Sequence, residues 1–208
     1  MAFILSAIVI LILTITFFII RMRKSSNVLM VVLGSGGHTG EMFSLLESCF
    51  PDIYNEKTDR SSDCLMKNVH SILFVISSND TLSLQRLKSV KIPYEYVKIT
   101  RARNVHETLL SAIPKIISSI LQSFLILYET RPIALLTNGP GVCVPLIMAS
   151  RLICPKTECI FVESICRTRT LSLTGKILYE LRLVKHFFVQ WPRLFEYYPR
   201  SRYIGLLV

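Results

Sequence analysis

The sequence lacks the patterns that mark several common classes of protein. It has six cysteines but no C-x-x-C pair, and none of its four histidines has the spacing of a metal ligand, so we predict no metal site. Acidic residues are few, 14 against 24 basic ones, which gives a net charge of +10. The basic residues are spread along the chain and form no nucleic-acid-binding motif. This charge favours a lipid surface or a phosphorylated ligand over nucleic acid as partner.

Charge is also absent from the start of the chain. Ala2 to Ile20 is uncharged and mostly aliphatic, and as a helix it would nearly span a hydrocarbon core of about 30 Å. No basic side chain precedes this run and no small-x-small cleavage site follows it, which disfavours a secretory signal peptide. Arg21, Arg23 and Lys24 come next, so the positive-inside rule puts the remainder in the cytosol. We predict a single transmembrane anchor over residues 1–21 and one folded domain over residues 27–208.

The most informative stretch is a glycine-rich turn between an apolar strand and a helix. Val28 to Leu33 are six apolar residues in a row, and apolar residues at helical spacing begin at Met42. A strand, a glycine turn and a helix start present unpaired backbone N–H groups and the positive end of the helix dipole to an anion. We therefore expect a phosphate or pyrophosphate to bind at this turn, against Gly34, Ser35, Gly36, Gly37 and Thr39.

A dinucleotide-binding turn is the alternative interpretation of the same residues. The pattern here is G-x-G-x-x-T, with Thr39 where a third glycine is usual. The acid that binds the ribose is expected about 20 residues on, at the end of the second strand. Asp80 comes later than that, just after the candidate strand His70 to Ile76. These two departures disfavour a membrane-bound NAD-type oxidoreductase, which is the second hypothesis. A scaffold that only recruits a partner, with a structural turn that binds nothing, is the third.

The rest of the chain alternates between strand and helix patterns, which predicts an α/β fold. Its class is a Rossmann-like parallel sheet with helices on both faces, in which ligands bind at the carboxyl ends of the strands. Three loops should therefore line one cleft: Gly34 to Thr39, Asn138 to Gly141 and Glu163 to Arg169. A Rossmann-like domain forms only one wall of such a cleft. We expect the second wall to come from another polypeptide.

One predicted helix is apolar enough to suggest a second membrane span. Leu109 to Tyr128 contains a single charge, and Ser111, Lys115, Ser118 and Gln122 recur at helical spacing to form one polar stripe. A span that faces lipid would not usually align its polar residues in this way. We predict a helix that packs a wide apolar face on the sheet or on the membrane surface.

Several motifs together resemble those of a known family. They are Gly34 to Glu41, Asn138 to Pro145, Val162 to Arg167, Thr174 to Ile177 and Val189 to Pro192. In this order they resemble the membrane-anchoring subunits of the dolichol-pathway N-acetylglucosaminyltransferase. The two glycine loops are also similar to those of the single-chain bacterial enzyme that glycosylates lipid-linked muramyl pyrophosphate.

The resemblance implies a fold, a reaction and a set of partners. The fold would be the N-terminal, acceptor-binding half of a GT-B glycosyltransferase that is split into two chains. The partner would be the catalytic, donor-binding subunit. Together they would transfer GlcNAc from UDP-GlcNAc to GlcNAc-pyrophosphoryl-dolichol, the second step of lipid-linked oligosaccharide synthesis, without a cofactor. The location would be the endoplasmic reticulum membrane, nuclear envelope included, with the domain on the cytosolic face.

In this reaction the pyrophosphate of the acceptor would be the anion that the glycine loops bind. The transfer also needs a base that takes the proton of the attacking hydroxyl. His38 is the first candidate base, with a turn-stabilising or phosphate-contacting role as the alternative. Glu163 is the second, with a hydrogen bond that braces its own loop as the alternative. Besides the first turn, the candidate pyrophosphate ligands are Asn138, Gly139, Gly141, Arg167 and Arg169, with Arg101 and Arg103 as further cations.

The tail, the tryptophan, the cysteines and one polar segment each carry a smaller prediction. The apolar tail Ile204, Leu206, Leu207 and Val208 either forms a buried last strand or binds the partner subunit. Trp191, the single tryptophan, is expected to have a packing role. Cys143, Cys159 and Cys166 are expected to be small core residues. Pro51 to Asn68 is polar and without apolar period, which indicates a surface insertion.

Overall fold

The computed structural model describes Ser6, residues 24–50, Ile53, residues 69–101 and residues 109–207. The predicted anchor over residues 1–21 therefore lies outside the described residues except for Ser6, and the insertion Pro51 to Asn68 except for Ile53. Arg103 and Val208 lie outside them as well. Among the helices that are described, none is both long and apolar enough to cross a membrane.

The strands form one parallel, seven-stranded sheet in the order β3-β2-β1-β4-β5-β6-β7. This confirms the predicted sheet. The order reverses between β1 and β4, which pair directly with Val32 opposite Thr137. The loops that follow these two strands are therefore neighbours, as is usual at the ligand-binding edge of such folds. The strands are β1 (Val28–Val32), β2 (Ser71–Ser77), β3 (Tyr94–Ile99), β4 (Ala134–Thr137), β5 (Glu158–Val162), β6 (His186–Val189) and β7 (Arg202–Tyr203).

The described helices cover both faces of the sheet. One hydrophobic core contains residues of the first two helices, and the other contains residues of the later four. Right-handed crossovers that run outward in both directions from the β1–β4 pair produce this division. The fold is thus Rossmann-like, as predicted. The helices are α1 (Gly37–Cys49), α2 (Thr81–Leu87), α3 (Leu109–Thr130), α4 (Cys143–Ile153), α5 (Leu173–Glu180) and α6 (Pro192–Tyr197).

Helix α3 departs from the expectation that its wide apolar face packs on the sheet. Leu127 is buried, but Ile117, Leu121 and Leu125 are 53%, 59% and 62% exposed. The polar stripe points toward the protein instead, since the Gln122 Nε2 atom donates to the Thr100 Oγ1 atom at 2.9 Å. Much of the apolar face therefore does not meet the sheet, which leaves the membrane-surface alternative that the sequence had raised.

Two further predictions were wrong. The last strand ends at Tyr203 rather than at Val208, because the chain turns at Gly205, whose φ of 98° lies in the left-handed region. Cys166 is exposed rather than in the core, since the strand it follows, β5, already ends at Val162. Cys143 and Cys159 are buried core residues, as expected, and burial raises the pKa of the Cys143 thiol to about 12.

Candidate functional site

A cleft of about 460 Å³ opens at the carboxyl ends of β1, β2 and β4. Two groups of residues of different polarity line it. The first group is polar or glycine-rich and lies at the ends of β1 to β4, in the strand ends, the loops and the start of α1: Gly34, Ser35, His38, Ser77, Arg101, Gly139 and Gly141. The second is apolar and comes mainly from α3, α4 and α5: Ile116, Ile120, Val144, Met148, Leu173 and Ile177. The cleft suits a ligand with a charged head and an apolar tail.

The first glycine turn leaves backbone N–H groups available at the start of α1. Gly36 precedes the helix with a φ of 70°, a conformation that favours glycine, and it supplies no side-chain cap. Among the described residues, no backbone acceptor is found for the amides of Ser35, Gly37 and His38. Unpaired amides at a helix N-terminus form an anion-binding geometry. The turn thus has the geometry that phosphate binding requires, and the binding itself stays a prediction.

The Thr39 side chain does not extend toward the cleft. Thr39 is buried, and its hydroxyl donates to the Gly34 carbonyl and contacts the Ser83 Oγ atom at 2.7 Å. Ser83 is in turn held by Asp80, whose carboxylate accepts from the Ser83 amide at 3.0 Å and from its hydroxyl at 2.6 Å. Asp80 is thus the N-cap of α2. It is occupied there rather than free to bind the ribose of a dinucleotide.

The two glycine turns are in direct contact. A Cβ atom on Gly34 would lie 2.8 Å from the Pro140 Cβ atom, so only glycine fits at that position. The Asn138 Nδ2 atom donates to the His38 carbonyl at 2.6 Å. Asn138 is 2% exposed, and its Oδ1 atom has no partner within the described structure. Asn138 thus joins the two turns rather than presenting its amide to the open cleft.

The His38 ring lines the cleft between these two turns. A Cβ atom on Gly139, which has a φ of 114°, would lie 3.5 Å from the His38 Cε1 atom. The His38 Nδ1 atom is buried and has no hydrogen-bond partner among the described residues. Its position beside the unpaired amides permits either of the roles predicted for it, as a base or as a contact to the phosphate.

Glu163 is fully buried at the end of β5. Its Oε1 atom accepts from the Ser164 amide at 3.0 Å, and its Oε2 atom accepts from the Ser172 amide at 2.9 Å and the Ser172 hydroxyl at 3.1 Å. Burial raises the pKa of the Glu163 carboxyl above its ordinary value, although these hydrogen bonds oppose the shift. The geometry favours the bracing role that the sequence had left as the alternative.

The hydrogen bonds of Glu163 also connect it to a helix that lines the cleft. Ser172 is the N-cap of α5 and accepts from the Gly175 amide at 2.9 Å. A Cβ atom on Gly175 would lie 2.3 Å from the Glu163 Oε2 atom, so any other residue there would displace the carboxylate. Leu173 of the same helix turn lines the cleft. Glu163 thereby fixes one wall of the cleft without reaching its interior.

The arginines are not placed as the sequence suggested. Arg101 lines the cleft beside Ser77. Arg167 and Arg169 are exposed on the loop after β5, and neither lines the cleft as the described residues form it. Of the basic residues that the structure describes, Arg101 is the one that lines this wall, because β3 ends next to β2 at the same edge of the sheet.

Ser77 and the apolar wall are the parts of the cleft that the sequence did not predict. Ser77 gave no signal because a serine at a strand end is common in any fold. Ile116, Ile120 and Met148 were visible only as members of helical apolar patterns. Such a pattern shows that side chains share a face, but does not identify what they face.

The C-terminal tail is divided between the interior and the surface. The Leu207 amide donates to the Gln190 Oε1 atom at 3.0 Å, and Leu207 packs against the core. Ile204 and Leu206 are 63% and 59% exposed. Trp191 packs against the other core, as predicted, and its Nε1 atom donates to the Ile165 carbonyl at 2.7 Å. The tail therefore forms no last strand, and its contact with a partner subunit stays a prediction.

Comparison with known proteins identifies the family of this chain and supports its fold. Residues 29–207 match the model of the family described as "Oligosaccharide biosynthesis protein Alg14 like". The UDP-N-acetylglucosamine transferase subunit ALG14 of Rattus norvegicus is 36% identical over 192 residues, which cover 89% of this chain and 85% of that protein. The proteins of the same name from Homo sapiens and Saccharomyces cerevisiae are 34% and 36% identical, over 89% and 91% of this chain and 85% and 82% of their own lengths.

A solved structure supports the fold independently. The crystal structure of MurG from Acinetobacter baumannii superposes with a TM-score of 0.55 at 17% identity. The match covers 79% of this chain and 41% of the MurG chain. At this identity the likeness concerns the fold alone. From the family match and the identity to these relatives, the chain belongs to the Alg14-like family of oligosaccharide biosynthesis proteins.

Proposed function

We propose that this chain is the acceptor-binding, membrane-anchoring subunit of the enzyme that transfers GlcNAc from UDP-GlcNAc to GlcNAc-pyrophosphoryl-dolichol. The relatives carry the name of a UDP-N-acetylglucosamine transferase subunit. The observation that carries the proposal is the two-sided cleft, whose glycine turns adjoin an apolar wall. A pyrophosphate linked to a polyprenol has the same two-sided chemistry.

The pyrophosphate would bind at the paired glycine turns. The unpaired amides of Ser35, Gly37 and His38 can donate to its oxygens, and Arg101 supplies positive charge from the same wall. The hydrocarbon would leave along Ile116 and Met148. Thr39 and Asn138 would act indirectly, since their side chains hold the turns together. Arg167 and Arg169 remain candidates for a contact in the complete enzyme.

In the reaction, the acceptor hydroxyl oxygen bonds to the anomeric carbon of the donor sugar, and the bond from that carbon to UDP breaks. The hydroxyl proton must pass to a base as the new bond forms. We assign this role to His38, whose ring lines the cleft and whose Nδ1 atom has no partner among the described residues. Glu163 is assigned the bracing role, because Ser164 and Ser172 already occupy its carboxylate.

Two other surfaces complete the proposal. Residues 1–21 would anchor the chain in the endoplasmic reticulum membrane, with residues 27–208 as the folded domain on its cytosolic face. Ile204, Leu206 and Val208 of the tail would contact the donor-binding partner, while Leu207 would hold the tail to the core. The exposure of Ile204 and Leu206 beside the short edge strand β7 supports that contact, because exposed apolar residues at a sheet edge suit a partner interface.

Reconstitution tests the proposal most directly. The full chain, the donor-binding subunit and the two together are incubated with UDP-GlcNAc and GlcNAc-pyrophosphoryl-phytanol. We expect elongation only when both chains are present, and binding of the pyrophosphoryl lipid, but not of NADH, by this chain alone. Elongation by the partner alone at the rate of the pair would overturn the acceptor-binding role. Binding of NADH in place of the lipid would support the oxidoreductase alternative instead.

A further inference from the structure

Two buried polar atoms near the start of α1 lack hydrogen-bond partners. They are the Nδ1 atom of His38 and the Oε2 atom of Glu41, and neither has a partner among the described residues. The two residues are three positions apart in α1, so their side chains leave the helix on the same face. Native proteins leave few buried polar atoms unpaired. Here the imidazole nitrogen can donate a hydrogen bond and the carboxylate oxygen can accept one.

The Glu41 carboxylate is held in place through its other oxygen. The hydroxyl of Ser164, which is itself buried, donates to the Glu41 Oε1 atom at 2.7 Å. The Ser164 amide in turn donates to the Glu163 Oε1 atom at 3.0 Å. The loop after β5 thus orients the Glu41 carboxylate from outside α1, and Oε2 is the oxygen that can accept from a further donor.

The His38 ring lies against the second glycine turn and lines the cleft. A Cβ atom on Gly139 would lie 3.5 Å from the His38 Cε1 atom and 4.0 Å from its Nδ1 atom. Because Nδ1 is buried, Nε2 is the ring nitrogen left for an acceptor hydroxyl. A neutral imidazole can act as a base at Nε2 only when its proton is on Nδ1, and a hydrogen bond to Nδ1–H selects that tautomer.

We propose that Glu41 is the positioning residue of His38, whose Nδ1–H group donates to the Glu41 carboxylate. For its effect on transfer, this inference rests on the proposed function. As the acceptor oxygen bonds to the anomeric carbon and the bond to UDP breaks, the hydroxyl proton passes to Nε2. The Glu41 carboxylate stabilises the resulting imidazolium without taking a proton itself. The ring returns that proton to solvent after UDP leaves.

The two side chains are close to this arrangement but do not bond directly, since neither atom has a partner within the described structure. A rotation of the ring or one bridging water would complete the contact, and catalytic hydrogen bonds often tighten only in the complex with substrate. The Oδ1 atom of Asn138 is a rival acceptor, because it is also buried and unpaired among the described residues. We favour Glu41, since a carboxylate also stabilises the imidazolium by its charge.

Other charged groups that the structure describes also lie around the start of α1. They are Arg101 at the end of β3, Arg86 of α2 beside Gly40, Asp80 at the N-cap of α2 and Glu163 after β5. The variants below leave all of them unchanged. A change in pH dependence on removal of the Glu41 charge can therefore be assigned to that carboxylate.

The tautomer of His38 tests the contact without any measurement of transfer. The full chain carries histidine labelled with 15N in the ring and is held in detergent micelles, and the His38 resonances are assigned by their loss in His38→Gln. The ring is compared in the unmodified chain, in Glu41→Ala and in Ser164→Ala. The last variant is the matched control, because it removes the hydrogen bond to Glu41 Oε1 but keeps the carboxylate.

We expect the Nδ1–H tautomer to predominate in the unmodified chain and in Ser164→Ala. In Glu41→Ala the proton should move to Nε2, which an unrestrained imidazole prefers. The same tautomer in Glu41→Ala and the unmodified chain would overturn the proposal and favour Asn138 as the acceptor. An equal change in Ser164→Ala and Glu41→Ala would also overturn it, because Glu41 would then only support the loop.

The pH dependence of transfer by the heterodimer is the second test. In Glu41→Gln we expect kcat to fall about 10²-fold with little change in acceptor KM, since the base is affected rather than binding. The acid limb of the kcat/KM profile should move to lower pH, because the charge that favours the imidazolium is gone. Glu47→Gln, at an exposed position of α1, is the control and should leave the profile unaltered.

A fall in rate without any movement of the acid limb would contradict the positioning role. The two tests also separate this inference from the proposed function. If the unmodified complex transferred no GlcNAc, the proposed function would fail, while the tautomer of His38 would still decide whether Glu41 holds the ring.

Discussion

The amide of Asn138 donates to the backbone carbonyl of His38 across 2.6 Å and thereby joins the turns after β1 and β4. The two residues are 100 positions apart in the chain. They meet because β1 and β4 are paired neighbours at the point where the strand order reverses. One partly buried hydrogen bond therefore sets the separation of two backbone segments that would bind the same anion.

Asn138→Asp tests this bond with almost no change in size. A carboxylate cannot donate to the His38 carbonyl, and its charge would oppose an anionic ligand. A buried carbonyl without a donor costs about 1–3 kcal/mol, so we expect kcat/KM of the heterodimer to fall at least tenfold. Asn27→Asp, the same change at the opposite end of the sheet, is the control and should leave kcat/KM unaltered. Equal activity of both variants would argue against the bond.

His38→Ala tests the assignment of the base. Loss of a general base typically lowers turnover about 10²–10⁴-fold, and we expect kcat to fall by that amount while the heterodimer still assembles. The control is His70→Ala, since His70 is exposed at the start of β2, far from the cleft. Single-turnover transfer and co-purification with the partner would be measured together. Turnover near that of the unmodified complex would mean that another group takes the proton.

Gly37→Ala tests whether the free amides of the first turn meet the ligand. A Cβ atom on Gly37 would have no neighbour within 4 Å, and alanine is the better helix former by about 1 kcal/mol, so stability should not decrease. The added methyl group would nevertheless obstruct an anion at the amide, and we expect the acceptor KM to rise several-fold. Gly40→Ala, within the same helix, is the control. An unaltered KM in both variants would place the pyrophosphate elsewhere.

The sequence predicted the framework of the site better than its side-chain contacts. The strand–turn–helix at Gly34 and the parallel sheet follow from local patterns, because strand alternation and glycine turns act within a few residues. The partner of Asn138 could not be predicted, since it is a backbone carbonyl that only the β1–β4 pairing brings near. The burial of Glu163 was equally hidden, because it depends on Ser172 and Gly175 returning to pack over β5.

Helix α3 is a second case in which the sequence predicted an element but not its tertiary contacts. Its period identified two faces, and the sequence named Ser118 and Gln122 as members of the polar one. Which face turns inward is decided by contacts with Thr100 and with α4, and these are tertiary. The sequence could therefore raise the membrane surface as an alternative, and only the burial of Ser119 and Ser123 distinguishes it from packing on the sheet.

Glu163→Gln tests the bracing role through pH. Burial holds the pKa of Glu163 above the ordinary value of 4.5, so the folded protein binds this proton more tightly than the unfolded chain. The contribution of this proton to the stability of the folded protein is then fully present below pH 4.5. It is lost as the pH rises through the raised pKa. We expect the decline in Tm over this interval to be smaller in Glu163→Gln, which cannot ionise. Glu47→Gln, at an exposed position, should keep the decline.

The same variant separates the two roles by activity. If Glu163 took the acceptor proton, the glutamine would lower kcat about 10²–10⁴-fold. As a brace, it keeps one oxygen for Ser172 but places an amide near the Ser164 N–H, so we expect a loss of about tenfold or less. Two results together would contradict the bracing role and restore Glu163 as the base. They are a Tm difference between Glu163→Gln and the unmodified chain that does not change with pH, and a complete loss of turnover in the variant.

Leu206→Asp tests the tail as a partner contact. Leu206 is 59% exposed, so an aspartate there should leave Tm of this chain alone within about 1–2 °C of the unmodified value. If the donor-binding subunit covers this side chain, a charge at the interface should weaken co-purification at least tenfold. Leu82→Asp, at 60% exposure on α2, is the matched control and should leave co-purification intact.

Leu207 provides the contrast that separates the two roles of the tail. Its side chain packs on the core and its amide is held by Gln190, so Leu207→Ala should lower Tm of the isolated chain, which Leu206→Asp does not. Gln190 also donates to the Glu163 carbonyl at 2.9 Å, so the buried part of the tail borders the braced loop. If Leu206→Asp lowered Tm as much as Leu207→Ala and left partner binding unchanged, the whole tail would be structural, and the partner would have to bind another surface.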